Sequence, residues 1–171
     1  MKIATILPYK ENYTSNGAGA VSLWIKDFMR DSKYKKNVSV FGSTNNKNYL
    51  TKNYININFP SINSRFYSTT KEYSKRIIIK LKKSHFDIIE LHNRPVMVSD
   101  FIKKINSKII LYFHNDPRTM KGAKTVSDRI NLLNSVDKII FISNWVKKKF
   151  FEGLPNLSEN KTQVIYHSID P

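Results

Sequence analysis

The sequence predicts a single α/β domain with a Rossmann-like, doubly wound parallel sheet, spanning residues 1–171. Two observations lead to this fold class. Strand-length apolar runs recur along the chain, and helical segments separate most of them, which is the pattern of a parallel sheet covered on both faces. A chain of 171 residues is long enough for one domain with a real core and too short for two ordinary ones.

The chain begins with a strand and a helix. Residues 2–7 are an apolar run that ends at Pro8, as expected of a buried strand. After the polar loop 9–16, a helix is predicted over residues 18–29 because the apolar residues there occur at helical spacing. These residues are Ala18, Val21, Ile25, Phe28 and Met29.

Two short strands and a long basic helix follow. Residues 38–41 form a strand that Gly42 ends, and residues 54–59 alternate Tyr or Ile with Asn, as a half-exposed edge strand does. The Asn- and Lys-rich residues 43–53 between them are a surface connection. Residues 64–84 are predicted to form a helix. Its apolar stripe consists of Phe66, Tyr73, Ile77 and Leu81.

The rest of the chain alternates regularly between strand and helix. Short apolar runs predict strands over residues 86–92, 108–114, 138–142 and 163–167. Helices are predicted between these strands, over residues 96–105, 125–134 and 144–151. Pro95 suits the first turn of the first of these helices, and Gly153 and Pro155 end the last.

Charge is the unusual feature of the composition. Twenty-nine Lys and Arg residues against 13 Asp and Glu give a net charge of +16. This charge favours anionic partners: a nucleic acid, an anionic membrane surface or a phosphorylated substrate. The alternative is a compositional bias, since Lys, Asn and Ile are abundant throughout. No stripe of arginines interleaved with aromatic residues occurs, so nucleic acid is the least favoured of these partners.

Composition also limits the compartment and the chemistry. The sequence has no cysteine, which excludes disulfides and thiolate metal sites. Its apolar runs are far shorter than the ~20 residues of a membrane span. Residues 1–8 lack the apolar length and the cleavage site of a signal peptide. We expect a soluble, cytoplasmic protein.

Ligands of doubly wound sheets bind at the carboxyl ends of the strands. The first such loop carries Gly17, Ala18 and Gly19 at the start of a helix, where backbone N–H groups favour an anion. Ser22 takes the place of the third glycine of a dinucleotide fingerprint, so a nicotinamide site is not expected. The structural alternative is a helix start built from small residues.

Polar side chains also end the fourth predicted strand. Glu90, His92, Asn93 and Arg94 are costly there unless they contact a ligand or each other. We therefore assign His92, Asn93 and Arg94 to donor or acceptor binding. Two structural alternatives exist: Asn93 caps the helix opened by Pro95, and Glu90 pairs with Arg94.

The fifth and sixth strands end in further candidates. His114 closes an apolar strand where an imidazole can bind a substrate hydroxyl, and Asn115 follows it; a histidine satisfied by backbone is the alternative. Ser143 suits a helix N-cap, with a ligand contact as an addition. No metal-ligand spacing, P-loop or nucleophile elbow occurs, so no metal site is predicted.

Five segments, in order, resemble glycosyltransferases of family 4, which have the GT-B fold. They are the glycine-containing loop before the first helix and residues 88–93 (IIELHN), 111–115 (LYFHN), 137–143 (DKIIFIS) and 164–170 (VIYHSID). The last resembles the VIPNGVD segment that marks the crossing between the two domains of the family. The resemblance covers essentially the whole chain.

The resemblance implies two Rossmann-like lobes, with the acceptor bound mainly by the N-terminal lobe and a nucleotide sugar mainly by the C-terminal lobe. It implies transfer with retention of configuration, without an obligatory metal or other cofactor. Gly17 and Gly19 match the loop that approaches the donor phosphates, and His114 matches a histidine near the transferred sugar. Asn115 replaces the usual Asp, so a role that needs a carboxylate there is in doubt. Ser143 matches a serine that opens a helix.

The second lobe of the family carries a Glu-x7-Glu motif and a phosphate-binding Arg/Lys pair, and this chain lacks both. We therefore expect the chain to be a piece of a longer enzyme, inactive alone, because half of the electrostatic clamp on the leaving group is missing. Many acceptors of the family are lipid-linked. The basic residues 71–83 would then lie against anionic lipid on the inner membrane face, or form an ordinary solvated helix face. The alternative function is a basic α/β module that binds nucleic acid.

Overall fold

The computed structural model describes residues 1–45, 47–58, 68–155 and 159–166, which form one parallel sheet with helices on both faces. Its strands are β1 (Ile3–Ile6), β2 (Val38–Gly42), β3 (Tyr54–Asn56), β4 (Ile88–His92), β5 (Lys108–Phe113), β6 (Lys138–Phe141) and β7 (Thr162–Val164). They lie in the order β3-β2-β1-β4-β5-β6-β7, and every neighbouring pair is parallel. The predicted doubly wound fold is therefore confirmed, with the strand order reversing between β1 and β4.

Within these described ranges, five α-helices connect the strands. They are α1 (Ala20–Asp31), α2 (Thr69–Leu81), α3 (Val98–Lys104), α4 (Val126–Ser135) and α5 (Asn144–Phe151), with short 3-10 turns at Lys35–Asn37, Pro95–Met97 and Pro117–Thr119. Within the part of the chain that the structure describes, no helix has both the length and the apolar character to cross a bilayer.

Helix ends follow the local sequence chemistry. The Ser68, Thr125 and Ser143 hydroxyls each accept a backbone N–H of the following helix, and Thr125 forms a capping box with Asp128. Because Ser68 is the N-cap of α2, the helix predicted from residue 64 begins at Thr69. Residues 64–67, with Phe66, lie outside the described residues, as do residue 59 of the predicted edge strand and residues 167–170 at the end of the chain.

The two faces of the sheet have separate cores. On one face, strand residues such as Ile89 and Leu91 pack against buried side chains of α2, α3, α4 and α5. On the other face, α1 packs through Val21, Ile25 and Met29 against strand residues that include Ile3. Since side chains alternate along a strand, Glu90 and His92 lie on the α1 face.

Helix α1 differs from its prediction in two ways. It begins at Ala20, so Gly17 and Ala18 belong to the preceding loop. Phe28 was expected on the apolar stripe but is 44% exposed, and its ring stacks on Trp24 with centroids 5.8 Å apart. The helix therefore buries a narrower stripe than predicted, and Trp24 points its ring toward the strand ends of β4 and β5.

Candidate functional site

The carboxyl ends of β4 and β5 bring four of the predicted site residues together. His92 is the last residue of β4 and pairs in register with Tyr112 of β5. Asn93 follows His92, and His114 and Asn115 follow β5. Because neighbouring parallel strands end at the same edge of a sheet, these residues form one polar cluster.

Asn93 fastens the two strand ends to each other. Its Oδ1 accepts the backbone N–H of His114 at 2.8 Å, and its Nδ2 donates to Asn115 Oδ1 at 3.0 Å. Asn93 adopts a left-handed backbone conformation with φ of 51°, which asparagine tolerates better than most residues. The alternative in which Asn93 caps the following turn is wrong, because that turn starts from Arg94 with no side-chain cap.

Two histidines meet in this cluster. His92 is completely buried, and its Nδ1 lies 2.9 Å from Nε2 of the half-buried His114. Burial and the neighbouring His114 lower the pKa of His92 well below its ordinary value, so His92 is neutral at physiological pH. Two residues at the end of β4 therefore fix His114: His92 is hydrogen-bonded to its ring, and Asn93 accepts its backbone N–H.

Trp24 is a member of the cluster that the sequence did not predict. Its indole lies 5.6 Å from the His92 ring and 5.3 Å from the His114 ring, the latter in an edge-on arrangement. The available signal was the four-residue spacing from Phe28, which places two aromatic rings on one side of a helix. Trp24 covers the cluster from the side of α1.

A buried carboxyl group lies next to the histidine pair on the same face of the sheet. Glu90 accepts hydrogen bonds from the hydroxyls of Thr5 at 2.7 Å and Tyr112 at 3.3 Å. Burial raises the pKa of Glu90, although the two hydroxyls partly offset that effect. The alternative in which Glu90 pairs with Arg94 is wrong; Arg94 donates instead to the Asn93 carbonyl at 3.1 Å. Burial also raises the pKa of the Tyr112 phenol.

Replacing Glu90 with glutamine should change how stability depends on pH. Because the folded-state pKa of Glu90 is raised, its contribution to stability is fully present below the unfolded-state pKa of about 4.3 and is lost as pH rises through the folded value. Glutamine keeps hydrogen-bonding capacity without that loss. We expect the free energy of unfolding of Glu90→Gln, relative to wild type, to increase as pH rises above the unfolded-state pKa.

Urea denaturation of both proteins at several pH values, from acidic to neutral, measures this difference in the free energy of unfolding. A difference that does not change with pH would contradict the prediction. The matched control is Glu152→Gln. A hydrogen bond from Lys149, followed by the charge of Arg118, lowers the pKa of Glu152. The stability that Glu152 contributes is therefore lost as pH falls. The free energy of unfolding of Glu152→Gln, relative to wild type, should accordingly decrease as pH rises, which is the opposite trend.

The start of α1 already has an anionic partner. The Glu11 carboxylate accepts the backbone N–H of Ser22 at 3.2 Å, and a Cβ atom added at Gly19 would collide with that carboxylate. Gly17, with φ of 75°, and Gly19 are held from the other side by Asn12, whose Nδ2 donates to the Gly17 carbonyl and whose carbonyl accepts the Gly19 N–H. Glu11 thus already places a negative charge at the end of the helix that favours an anion.

Ser143 has the capping role that its sequence position predicted. Its hydroxyl accepts the Val146 N–H at 3.2 Å at the start of α5. Within the described residues, its hydrogen bonds do not extend to the histidine pair, so Ser143 is not brought into the cluster. No group of three His, Asp or Glu side chains suited to a metal ion occurs in those same residues.

The fold is that of one lobe of a GT-B glycosyltransferase. Sucrose-phosphate synthase from Thermosynechococcus elongatus superposes with a TM-score of 0.67 at 10% identity, over 96% of this chain and 47% of that one. HepE from Anabaena, solved in complex with UDP and glucose, gives a TM-score of 0.64 at 15% identity, over 99% of this chain and 45% of that one.

The chain belongs to Glycosyltransferase Family 4, whose family signature matches residues 34–171. The putative glycosyltransferase YtcC of Bacillus subtilis (strain 168) is 33% identical over 101 residues, which are 58% of this chain and 24% of YtcC. Spore coat protein SA of the same strain is 24% identical over 99% of this chain and 43% of its own length. The chain thus spans less than half the length of these relatives.

Proposed function

We propose that this chain is the N-terminal, acceptor-side lobe of a retaining glycosyltransferase that transfers a sugar from a nucleotide-sugar donor to a glycan or lipid-linked acceptor. One observation carries the proposal: in a family 4 domain, His114 is fixed at the carboxyl end of β5 by His92 and Asn93. A histidine held in ring and backbone is suited to bind one hydroxyl of the transferred sugar in a defined position.

The chemistry of the cluster fits hydrogen bonding to neutral hydroxyl groups. Asn115 stands beside His114, and its carbonyl oxygen accepts the Asn93 amide, so no carboxylate takes the position that Asp usually has in the family. Glu90 is buried against Thr5 and Tyr112. We therefore propose that His114 hydrogen-bonds the sugar. We assign the role of a carboxylate base to no residue of the cluster.

A polar cleft beside the cluster offers room for the acceptor. It has a volume of about 820 Å³ and lies at the carboxyl ends of β1, β2 and β3, on the other side of the switch point from His114. Its wall is organised by hydrogen bonds: Thr44 donates its hydroxyl to Asn12 at 2.8 Å and its N–H to Asn56 at 3.0 Å. Amides, hydroxyls and the rings of Tyr9 and Tyr49 are side chains suited to sugar hydroxyls and sugar faces.

The leaving nucleoside diphosphate needs charge stabilisation that this lobe does not supply at α1, because Glu11 occupies that terminus. We propose that a second, donor-binding lobe supplies it, that this chain alone is inactive, and that transfer needs no bound metal. Undiminished transfer in EDTA would support the last point.

The test is nucleotide release by the two-lobed gene product with a panel of UDP-, GDP- and ADP-sugars. The proposal predicts release from at least one donor, accelerated by glycan or lipid-linked acceptors. Absence of release from every donor, combined with tight nucleic-acid binding by the chain, would favour the alternative of a basic nucleic-acid module.

For a lipid-linked acceptor, we propose that the basic face of α2 contacts anionic lipid at the cytoplasmic membrane surface. Lys71, Lys75 and Lys80 are exposed along this helix, and Ile79 among them is 51% exposed. We expect cosedimentation with phosphatidylglycerol vesicles at low salt, release at high salt because the contact is electrostatic, and none with phosphatidylcholine. Lys75→Glu should weaken binding more than the control Lys148→Glu on α5; absence of binding at low salt would contradict the proposal.

A further inference from the structure

The cleft proposed for the acceptor carries an unbalanced positive charge. Among the described residues that line it, two are lysines, Lys10 and Lys47, and none is acidic. Within the part of the chain that the structure describes, neither ammonium group forms a hydrogen bond or an ion pair, and that of Lys10 lies 5.7 Å from the centre of the Tyr9 ring. The carboxylate of Glu11, the next residue, accepts the Ser22 N–H instead. Two cations without a protein anion beside them favour an anionic ligand.

The amide oxygens of the cleft are already engaged within the protein. Asn12 Oδ1 accepts the hydroxyls of Thr14 at 2.9 Å and Thr44 at 2.8 Å. Asn56 Oδ1 accepts the Thr44 N–H at 3.0 Å, and Asn58 Oδ1 accepts a side-chain N–H of Asn56 at 2.9 Å. The two ammonium groups are therefore the strongest groups that remain for a ligand. Such a cleft suits a ligand that brings its own charged acceptor oxygens.

Lys10 occupies its position at a conformational cost. It lies in a tight turn that the hydrogen bond from the Glu11 N–H to the Pro8 carbonyl closes at 3.0 Å, and its φ is 64°. Glycine adopts this left-handed conformation freely, whereas a lysine there is strained. Backbone strain of this kind is concentrated at functional sites, where a particular side chain is required.

The loop of Lys47 is anchored to the loop that precedes α1. An antiparallel bridge pairs Thr14 with Tyr49, and the Ser15 N–H donates to the Asn48 carbonyl at 3.1 Å. The two lysines therefore line one cleft from two separate loops, each of which is fixed by backbone hydrogen bonds.

We propose that this cleft binds an acceptor that bears a phosphoryl group, with Lys10 and Lys47 as the cations that contact it. A phosphomonoester carries a charge of about −1.5 to −2 at neutral pH and three acceptor oxygens, so it can use both ammonium groups. A carboxylate carries a single charge and is matched best by the planar fork of an arginine, which the described lining lacks. The phosphoryl group is an ester on the glycan or part of a lipid link. In calling the ligand an acceptor, this inference rests on the proposed glycosyl transfer; the anion binding itself does not.

Binding is measured on the chain by 1H–15N correlation spectra, titrated separately with glucose 6-phosphate, geranyl diphosphate, glucose and glucuronate. We expect at least one phosphoryl probe to bind about tenfold more tightly than glucose, because both lysines contact its charge. The amide signals of residues 9–12 and 47–49 should shift on binding. High salt should remove most of the difference from glucose, because it screens exposed charges.

Lys10→Gln and Lys47→Gln should each lower the affinity for the phosphoryl probe about threefold to tenfold and leave the affinity for glucose unchanged. The matched control is Lys36→Gln, which removes the same charge from an exposed turn at the opposite edge of the sheet, before β2. It should have the wild-type affinity. Equal losses in all three variants would show an effect of net charge alone and would overturn the site.

Lys10→Gly separates a binding role from a structural one. Glycine relieves the strain at φ of 64°, so this variant should bind the phosphoryl probe more weakly without a lower melting temperature. An unchanged affinity in Lys10→Gly would overturn the role of Lys10 in binding.

The probes also locate the charge on the acceptor. Tighter binding of glucose 6-phosphate places it on the glycan, tighter binding of geranyl diphosphate places it on the lipid link, and either result supports the proposal. Glucuronate that binds as tightly as both phosphoryl probes, or phosphoryl probes no tighter than glucose, would overturn it. If the probes bind as expected while the two-lobed protein transfers no sugar, the proposed function fails and the anion site remains.

Discussion

Replacing His114 with alanine should lower kcat for sugar transfer by about two to three orders of magnitude, the loss typical of one preorganised hydrogen-bonding group in a transition state. The alanine variant keeps the backbone N–H that Asn93 accepts, so the strand end should stay in place. Loss of the ring removes the group that we assign to the sugar hydroxyl. The measurement is steady-state nucleotide release by the two-lobed protein at saturating donor.

The control is His85→Ala, at an exposed histidine that pairs with Asp87 before β4, at the opposite edge of the sheet. It should leave kcat unchanged. If the His114→Ala variant has the wild-type kcat and an unchanged melting temperature, His114 takes no part in the reaction.

Replacing Gly122 with alanine should destabilise the fold by about 3 kcal/mol or more, because two costs add. Gly122 has φ of 91°, a conformation that side chains other than glycine rarely adopt. An added Cβ would lie 2.7 Å from the backbone nitrogen of Val96, and backbone cannot move aside as a side-chain tip can. Urea denaturation followed by circular dichroism measures the loss.

Gly153→Ala is the matched control for this prediction. Gly153 also has positive φ, at 79°, but an added Cβ would make only an ordinary contact with Val126 at 3.6 Å. It should therefore show the conformational cost alone, on the order of 1–2 kcal/mol. Similar losses for the two variants would show that the contact with Val96 is not the cause.

Gly122 also bears on the candidate site. Val96 lies in the turn Pro95–Met97, directly after the residues that end β4, and the loop containing Gly122 begins at His114. Pushing these two segments apart would strain the bond between Asn93 and Asn115. A partly folded Gly122→Ala enzyme is therefore expected to lose activity beyond its loss of folded protein.

The strands were predictable because a strand buried on both faces is a short apolar run, which can be recognised from the local sequence alone. Residues 108–114 were expected as a strand, and β5 is Lys108–Phe113; residues 138–142 became β6, Lys138–Phe141. Short apolar runs of this kind suit a strand buried on both faces. The caps were equally local, since Ser143 needs only the next three residues to bind Val146.

The partners within the site were not predictable in the same way. His92, Asn93, His114 and Asn115 were chosen because they end strands, but which atoms meet depends on the pairing of β4 with β5. That pairing joins residues 22 apart in the sequence, such as Glu90 and Tyr112. The pairing of β4 with β1 places Thr5 opposite Glu90, so Glu90 bonds Thr5 and Tyr112 rather than nearby Arg94. Local spacing offered Arg94 as an alternative partner of Glu90 because spacing carries no information on strand order.

Helix α1 illustrates the same limit. Helical spacing identified Val21, Ile25 and Met29 as buried but did not distinguish Phe28, which is exposed, from Trp24, which covers the histidines. The difference arises because α1 packs against residues of β1 and β2, while Trp24 lies beside rings at the ends of β4 and β5. Glu11 at the α1 terminus likewise depends on the path of a loop that spacing does not define.

The most direct test of the central claim is the transfer of a labelled sugar by the two-lobed protein and by this chain alone, with product configuration assigned by proton NMR. The account predicts transfer with retained anomeric configuration by the two-lobed protein, dependence on His114, and no transfer by the isolated lobe. Transfer with inversion, transfer by the chain alone, or transfer that survives His114→Ala would contradict it.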